Sequence, residues 1–165
     1  MKTRILTAGA LLLSACASGP SDGPGSASVQ AAGTTQRSRT QAAATVESLP
    51  AQTLPAGKCG LFLWTQDEPR HFILFYPAGG AAADAILNGR QEKLKIESQG
   101  GDVFTQFMTQ MAFRSADGIP VKLTIEPGEI IDGGRRVPAA RMISQDGEGW
   151  EIITPLAGLT ACQPE

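Results

Sequence analysis

From residue 57 onward, short apolar runs alternate with clusters of glycine, proline, asparagine and aspartate. That alternation predicts strands joined by tight turns. Residues 59–65 (CGLFLWT) and 71–76 (HFILFY) are apolar on both faces, as expected of central strands. The polar stretch 66–70 joins them as a hairpin. Residues 83–87 lead into Asn88-Gly89, and both of these residues tolerate positive φ in a type I′ turn. A second hairpin follows, returning through 90–98 (RQEKLKIES). Leu94 and Ile96 lie on one face of it, and Lys93, Lys95 and Glu97 on a solvated face. Gly100-Gly101 reads as a break. Residues 104–113 (FTQFMTQMAF) fit strand alternation and also a helical stripe of Phe104, Phe107, Met108 and Met111. The strand reading is preferred, ending at Arg114 before the turn 115–118. Residues 120–126 (PVKLTIE) alternate cleanly, with Val121, Leu123 and Ile125 inward. A short strand at 129–131 and strands at 138–144, 150–154 and 156–162 complete the series. The fold class is all-β: about eight antiparallel strands in a sandwich or a small barrel.

The head of the chain has a different pattern. Lys2 and Arg4 precede an uninterrupted apolar run, residues 5–13. That run has the length of a signal-peptide core and is too short to remain as a membrane span. It ends in Leu13-Ser14-Ala15-Cys16. The tetrad resembles the lipobox of bacterial lipoproteins, which carry a type II signal peptide. The resemblance implies a signal peptide over residues 1–15, cleavage before Cys16 and a diacylglyceryl thioether on the Cys16 sulfur. It also implies acylation of the new amino terminus, for example by palmitate. The implied partner is a membrane, held through the acyl chains on Cys16. The implied location is the bacterial cell envelope. Ala17 stands where an aspartate would retain enteric lipoproteins in the inner membrane, which favours the outer membrane with the domain facing the periplasm.

Residues 16–56 read as a lipidated, flexible linker. They are rich in Ala, Ser, Gly, Thr, Gln and Pro and poor in large apolar side chains, so burial cannot offset the entropy of ordering them. A flexible chain of this kind reaches about 35 Å. The predicted organisation is a signal peptide (1–15), a linker (16–56) and a disulfide-closed β domain (57–165).

The chain carries 14 basic and 16 acidic residues. Loss of Lys2 and Arg4 would make the net charge of −2 more negative by two. That balance excludes nucleic acid as a partner bound by charge. It does not fix an oligomeric state. Of three cysteines, Cys16 is taken by the lipobox. Cys59 and Cys162 remain as a pair at the two ends of the β domain, and an oxidising compartment makes them a disulfide.

The search for chemistry finds no catalytic constellation. His71 is the one histidine, and no Gly-x-Ser-x-Gly elbow accompanies it. Asp67-Glu68 and Glu126/Glu129 fall in or beside turns, without the cleft that a glycosidase pair needs. The glycine pairs lead into no lysine-bearing helix start, so no phosphate loop is predicted. No metal site and no cofactor is expected. Trp64 and Trp150 read as core residues of their strands, with an exposed binding platform as the alternative. Arg135-Arg136 is a local basic spot suited to an anionic glycan or protein partner. The candidate ligand-binding residues are therefore Trp150, Arg135, Arg136 and Arg141.

Residues 141–150 (RMISQDGEGW) are similar in spacing to a stretch of the lipid-anchored inhibitors of c-type lysozyme, small disulfide-bearing β-barrels. Met142 stands where that family has a tyrosine, and Pro138 where it has a functional serine. The globular part otherwise resembles the β-rich domains of envelope lipoproteins. The expected function is a non-enzymatic, membrane-anchored binding or scaffolding domain. The alternatives are an inhibitor of a lysozyme-type hydrolase and an envelope enzyme built on scattered residues such as His71.

Overall fold

The computed structural model describes residues 47–165. The signal peptide, Cys16 and the linker as far as residue 46 lie outside the described residues. Nine strands follow one another: β1 (Cys59–Thr65), β2 (Phe72–Pro77), β3 (Ala82–Leu87), β4 (Arg90–Phe104), β5 (Phe107–Arg114), β6 (Pro120–Glu126), β7 (Ile130–Ile131), β8 (Gly134–Gln145) and β9 (Glu151–Cys162). Each pairs antiparallel with its neighbour from β1 to β6; β6 then pairs with β8, β8 with β9, and β9 with β1. Eight strands thus close into an up-and-down barrel, which decides between the two architectures that the sequence allows. The two-residue β7 continues the line of β6 in the same register along β8. Closure leaves no long strand edge unpaired.

The interior is apolar and filled. Leu61 and Leu63 of β1, Leu74 and Tyr76 of β2, Leu94 of β4, Phe113 of β5, Val121 and Leu123 of β6, Val137 of β8 and Leu156 of β9 are almost wholly shielded from water. Tyr76 meets Phe107 and Phe113 of β5, three strands away around the ring, so these rings touch across the lumen. Its hydroxyl donates to the Gly80 carbonyl at 2.9 Å and accepts from Gln99 Nε2 at 2.9 Å. Outward positions carry charge: Lys95, Arg114, Lys122, Glu126 and Arg141 are exposed. This is the inverse of a membrane barrel, whose outer band is apolar and whose lumen is polar.

One mouth of the barrel carries the turns 66–71, 88–89, 115–119 and 146–150; the other carries 78–81, 105–106 and 132–133, with Cys59 and Cys162. The Cys59–Cys162 disulfide is present and joins the first residue of β1 to the last of β9, which face each other in the ladder. It closes the seam between the first and last strands.

Three strands are longer than their sequence suggests. β4 runs through Gly100-Gly101 with a bulge rather than a break, and Gly101 takes φ +78°. The chain instead turns at Thr105-Gln106, so Phe104 belongs to β4 and Phe107 opens β5. The predicted strands 150–154 and 156–162 are one strand, β9, with Pro155 inside it. Pro155 is tolerated because β1 has ended beside it. Its carbonyl accepts the Gln66 N–H beyond that end, so the missing proline N–H points where no strand partner remains. β8 begins at Gly134 rather than at Pro138, which sits in a break of the β8–β9 ladder between Val137 and Ala140.

The apolar outer faces of β1 and β2 have their own cover. Leu49 donates its N–H to the Phe72 carbonyl, and Ser48 Oγ accepts the Phe72 N–H. Residues 47–58 then run outside the barrel from the turn-rich mouth to the disulfide. Leu49 is buried, and Leu54 packs against the core near Gly60. Residues 47–56 are the described part of the stretch expected as linker.

Candidate functional site

A row of four aromatic rings crosses the outer face of β1 and β2. Phe75 lies 5.0 Å from Phe62, Phe62 lies 6.0 Å from Phe72, and Phe72 lies 5.0 Å from Trp64, centroid to centroid. The alternation of β1 produces this: Leu61 and Leu63 point inward, so Phe62 and Trp64 point outward. Residues 47–58 cover one end of the row. Trp64, half-buried, forms the other end and borders an open cleft of about 600 Å³.

The cleft lies over β1, β9 and β8. Ala157 is the ladder partner of Trp64, and Leu159 is the partner of both Phe62 and Arg136. Pro138 and Arg136 on β8 form the opposite side, and Arg70 enters from the β1–β2 turn. Two sequence features open the hollow. Ala157 puts only a methyl beside the indole, and the ladder break at Pro138-Ala139 spreads β8 from β9 at that level. Gly158 draws β9 close to β1: a Cβ there would overlap the Phe62 carbonyl oxygen.

Both arginines are exposed and sit beside an acid: Arg136 donates from Nε to Glu129 at 2.7 Å, and Arg70 Nε lies 3.4 Å from a Glu68 oxygen as an ion pair. Exposed pairs of this kind contribute about 0–1 kcal/mol. Their terminal nitrogens bond no other described side chain, so each guanidinium keeps donors for a ligand. Together the site offers a flat aromatic face, a small apolar floor and two planar cations. It can hold and orient a ligand.

The four residues singled out in the sequence do not meet at one place. Arg136 reaches the cleft. Arg135, next to it, is turned the other way and donates from Nε to the Gly128 carbonyl at 2.8 Å, holding the bend between β6 and β7. Arg141 lines a separate, smaller hollow with Gln66, Thr124, Glu126 and Pro155. Trp150 is 71% exposed at the β8–β9 hairpin tip, which overturns its reading as core. Trp64 is likewise an outer-face residue and not part of the barrel interior. Met142 is buried in the lumen, and Pro138 stands on the cleft wall.

Sequence reasoning missed Arg70 as a site residue and preferred the core for Trp64 over the platform it also allowed. The strict inward–outward alternation of β1 could have placed the indole outside; no local signal marks Arg70. His71 does not join the site. Its Nδ1 lies 3.4 Å from Ser48 Oγ, and its backbone N–H donates to Thr65 Oγ1. That serine oxygen is already an acceptor for the Phe72 N–H, which gives the pair a fastening role. At the turn-rich mouth, Glu92 points inward and its Oε2 is buried without a partner. Its Oε1 accepts from Arg90, which also reaches Asp117. Among the described residues, no cluster of histidine, cysteine and carboxylate side chains is arranged to hold a metal. Comparison of the chain with protein-family models, with curated proteins and with solved structures finds no match.

Proposed function

We propose that the chain is a lipid-anchored envelope protein whose β-barrel is a non-enzymatic binding domain. The cleft between Trp64, Arg70 and Arg136 carries the reading: its aromatic face, small apolar floor and two planar cations are groups that hold and orient a ligand. Two further observations support the location. The Cys59–Cys162 disulfide is a bond of oxidising compartments. The lipobox ending at Cys16 supplies the route there and the anchor. Several acyl chains hold firmly, because each buried methylene contributes about 0.8 kcal/mol and a single chain is marginal. The outer membrane, with the barrel facing the periplasm, is the placement that Ala17 favours.

Capture with the intact lipidated protein tests the binding role. An envelope component retained by the wild type and lost with a filled cleft (Ala157→Leu) supports it. Turnover of glycan, peptide or ester substrates by the purified chain would overturn it. For the anchor, Cys16→Ser is expected to leave the protein unacylated and released from membranes on fractionation. Mass spectrometry showing an unmodified Cys16 in the wild type removes that part of the proposal.

One observation favours a second reading, inhibition of a lysozyme-type hydrolase. The 146–150 hairpin tip that carries Trp150 is exposed on a small disulfide-closed barrel, the type of scaffold named by the resemblance. Undiminished lysozyme activity at micromolar protein ends it.

A further inference from the structure

The same cleft carries a statement about ligand class, which rests on the binding role proposed above. We propose that it takes a short anionic saccharide, with a sugar ring against the Trp64 indole and a carboxylate held between Arg70 and Arg136.

The volume, about 600 Å³, fits a small-ligand site rather than a protein footprint. Trp64 is backed by Phe72 at an interplanar angle of 29°, so its ring is held flat against its neighbour. A fixed aromatic face suits the apolar face of a pyranose. Ala157 and Leu159 extend that face without polar demands.

The charges select the ligand. Arg70 and Arg136 come from separate elements, the β1–β2 turn and β8, and converge on one hollow of an otherwise acidic protein. Guanidinium groups match carboxylates through paired N–H donors. Glu129 accepts only from the Nε donor of Arg136, and Glu68 forms a looser ion pair with Arg70, both at exposed positions. A ligand carboxylate can bind the terminal nitrogens or displace those weak pairs. The same two glutamates disfavour a polyanion such as nucleic acid, whose further charges would meet them at the rim.

An acidic peptide is the competing occupant, and the backbone argues against it. Extended peptides bind most simply by adding a strand to a free edge. Here β1, β8 and β9 each pair on both sides for most of their length, so the cleft floor offers little main-chain pairing. A saccharide needs none.

The test uses the full chain carrying Trp150→Phe, so that fluorescence reports Trp64 alone. Probes are a trimer of galacturonic acid, the neutral galactose trimer and an acetylated, amidated tri-glutamate peptide. The acidic trisaccharide is expected to change the Trp64 emission saturably. The neutral trimer should bind about tenfold more weakly or worse. Arg70→Ala and Arg136→Ala should each weaken the acidic trimer by about tenfold, and added salt should weaken it further. Trp64→Ala disturbs the aromatic row, so Ala157→Leu, which fills the hollow from the outer face, is the companion variant; circular dichroism of each should match the wild type. Equal binding of neutral and acidic trimers overturns the role of the arginines. Preference for the peptide overturns the saccharide. If no saccharide binds while the intact chain still captures an envelope component, the ligand class fails and the binding role stands. If neither occurs, both fail.

Discussion

Gly158 has room for a hydrogen and nothing larger. It faces Leu63 on one side and Val137 on the other, and an added Cβ would run into the Phe62 carbonyl. Gly158→Ala should cost about 1–3 kcal/mol, the range for overpacking, read as a lower urea midpoint. Tyr76 is the only tyrosine, so its ionisation can be followed directly by tyrosinate absorbance. Burial raises its pKa above the ordinary 10.0, and the hydrogen bond from Gln99 pulls only partly the other way. Above pH 10 the unfolded chain therefore loses this proton first. The folded state binds more protons than the unfolded one, and stability falls as pH climbs towards the folded value. Tyr76→Phe should lose about 0.5–1.5 kcal/mol at neutral pH and show a shallower alkaline decline. Glu97 shifts oppositely: the hydrogen bond from Arg114 holds its carboxyl below the usual range. Its contribution is present above the ordinary carboxylate pKa and is lost as pH falls through the lowered folded value. Carbon NMR should find the Glu97 titration moved upward in Arg114→Ala. The sequence places Tyr76 in a strand, yet nothing in it announces that Gln99 would reach the hydroxyl, because that contact depends on a bulge two strands away.

The turns were legible where the chemistry was local. Asn88 and Gly89 both adopt positive φ, 51° and 70°, as the dipeptide implies. Asn88→Ala should lower stability by about 0.5–1.5 kcal/mol, since alanine keeps the Cβ strain of the left-handed region without the polar side chain that offsets it, and loses the bond from Asn88 Nδ2 to the Gln145 carbonyl. Thermal denaturation reads the change. The turn at Thr105 was not legible. A β-branched residue at φ 54° breaks the rule that reserves such turns for glycine and asparagine. Its hydroxyl lies 3.3 Å from that of Thr160, which is wholly buried, so a partner distant in sequence explains the choice. Pro155 misleads in the same way. Read alone it ends a strand; beside the finished β1 it costs no ladder bond. The cleft was the least legible feature of all. Its arginines are 66 positions apart, and only the closing of β9 onto β1 brings them together.

For the molecule as a whole, the disulfide matters through topology. Cys59 and Cys162 are 103 positions apart in sequence and adjacent in space. Loop-entropy reasoning gives about 4–5 kcal/mol for such a closure. The Cys59→Ser/Cys162→Ser double variant should lose a comparable amount in chemical denaturation, while added reductant should weaken the wild type alone. The all-β class was legible because alternation and turn residues are dense from residue 57 onward. The choice of barrel over sandwich was not, because it turns on whether β6 meets β8 and β9 meets β1, pairings with no local signature.

The bridge also decides how the protein would respond to being pulled. Tension applied upstream of residue 47 enters at the mouth opposite the disulfide and first peels Leu49 and Leu54 from the outer wall. When the opposing pull acts beyond Cys162, the force at Cys59 passes through the sulfur atoms to Cys162. The strands between the two cysteines then hang slack beside the load path, and the barrel can stay folded while its moorings are stretched.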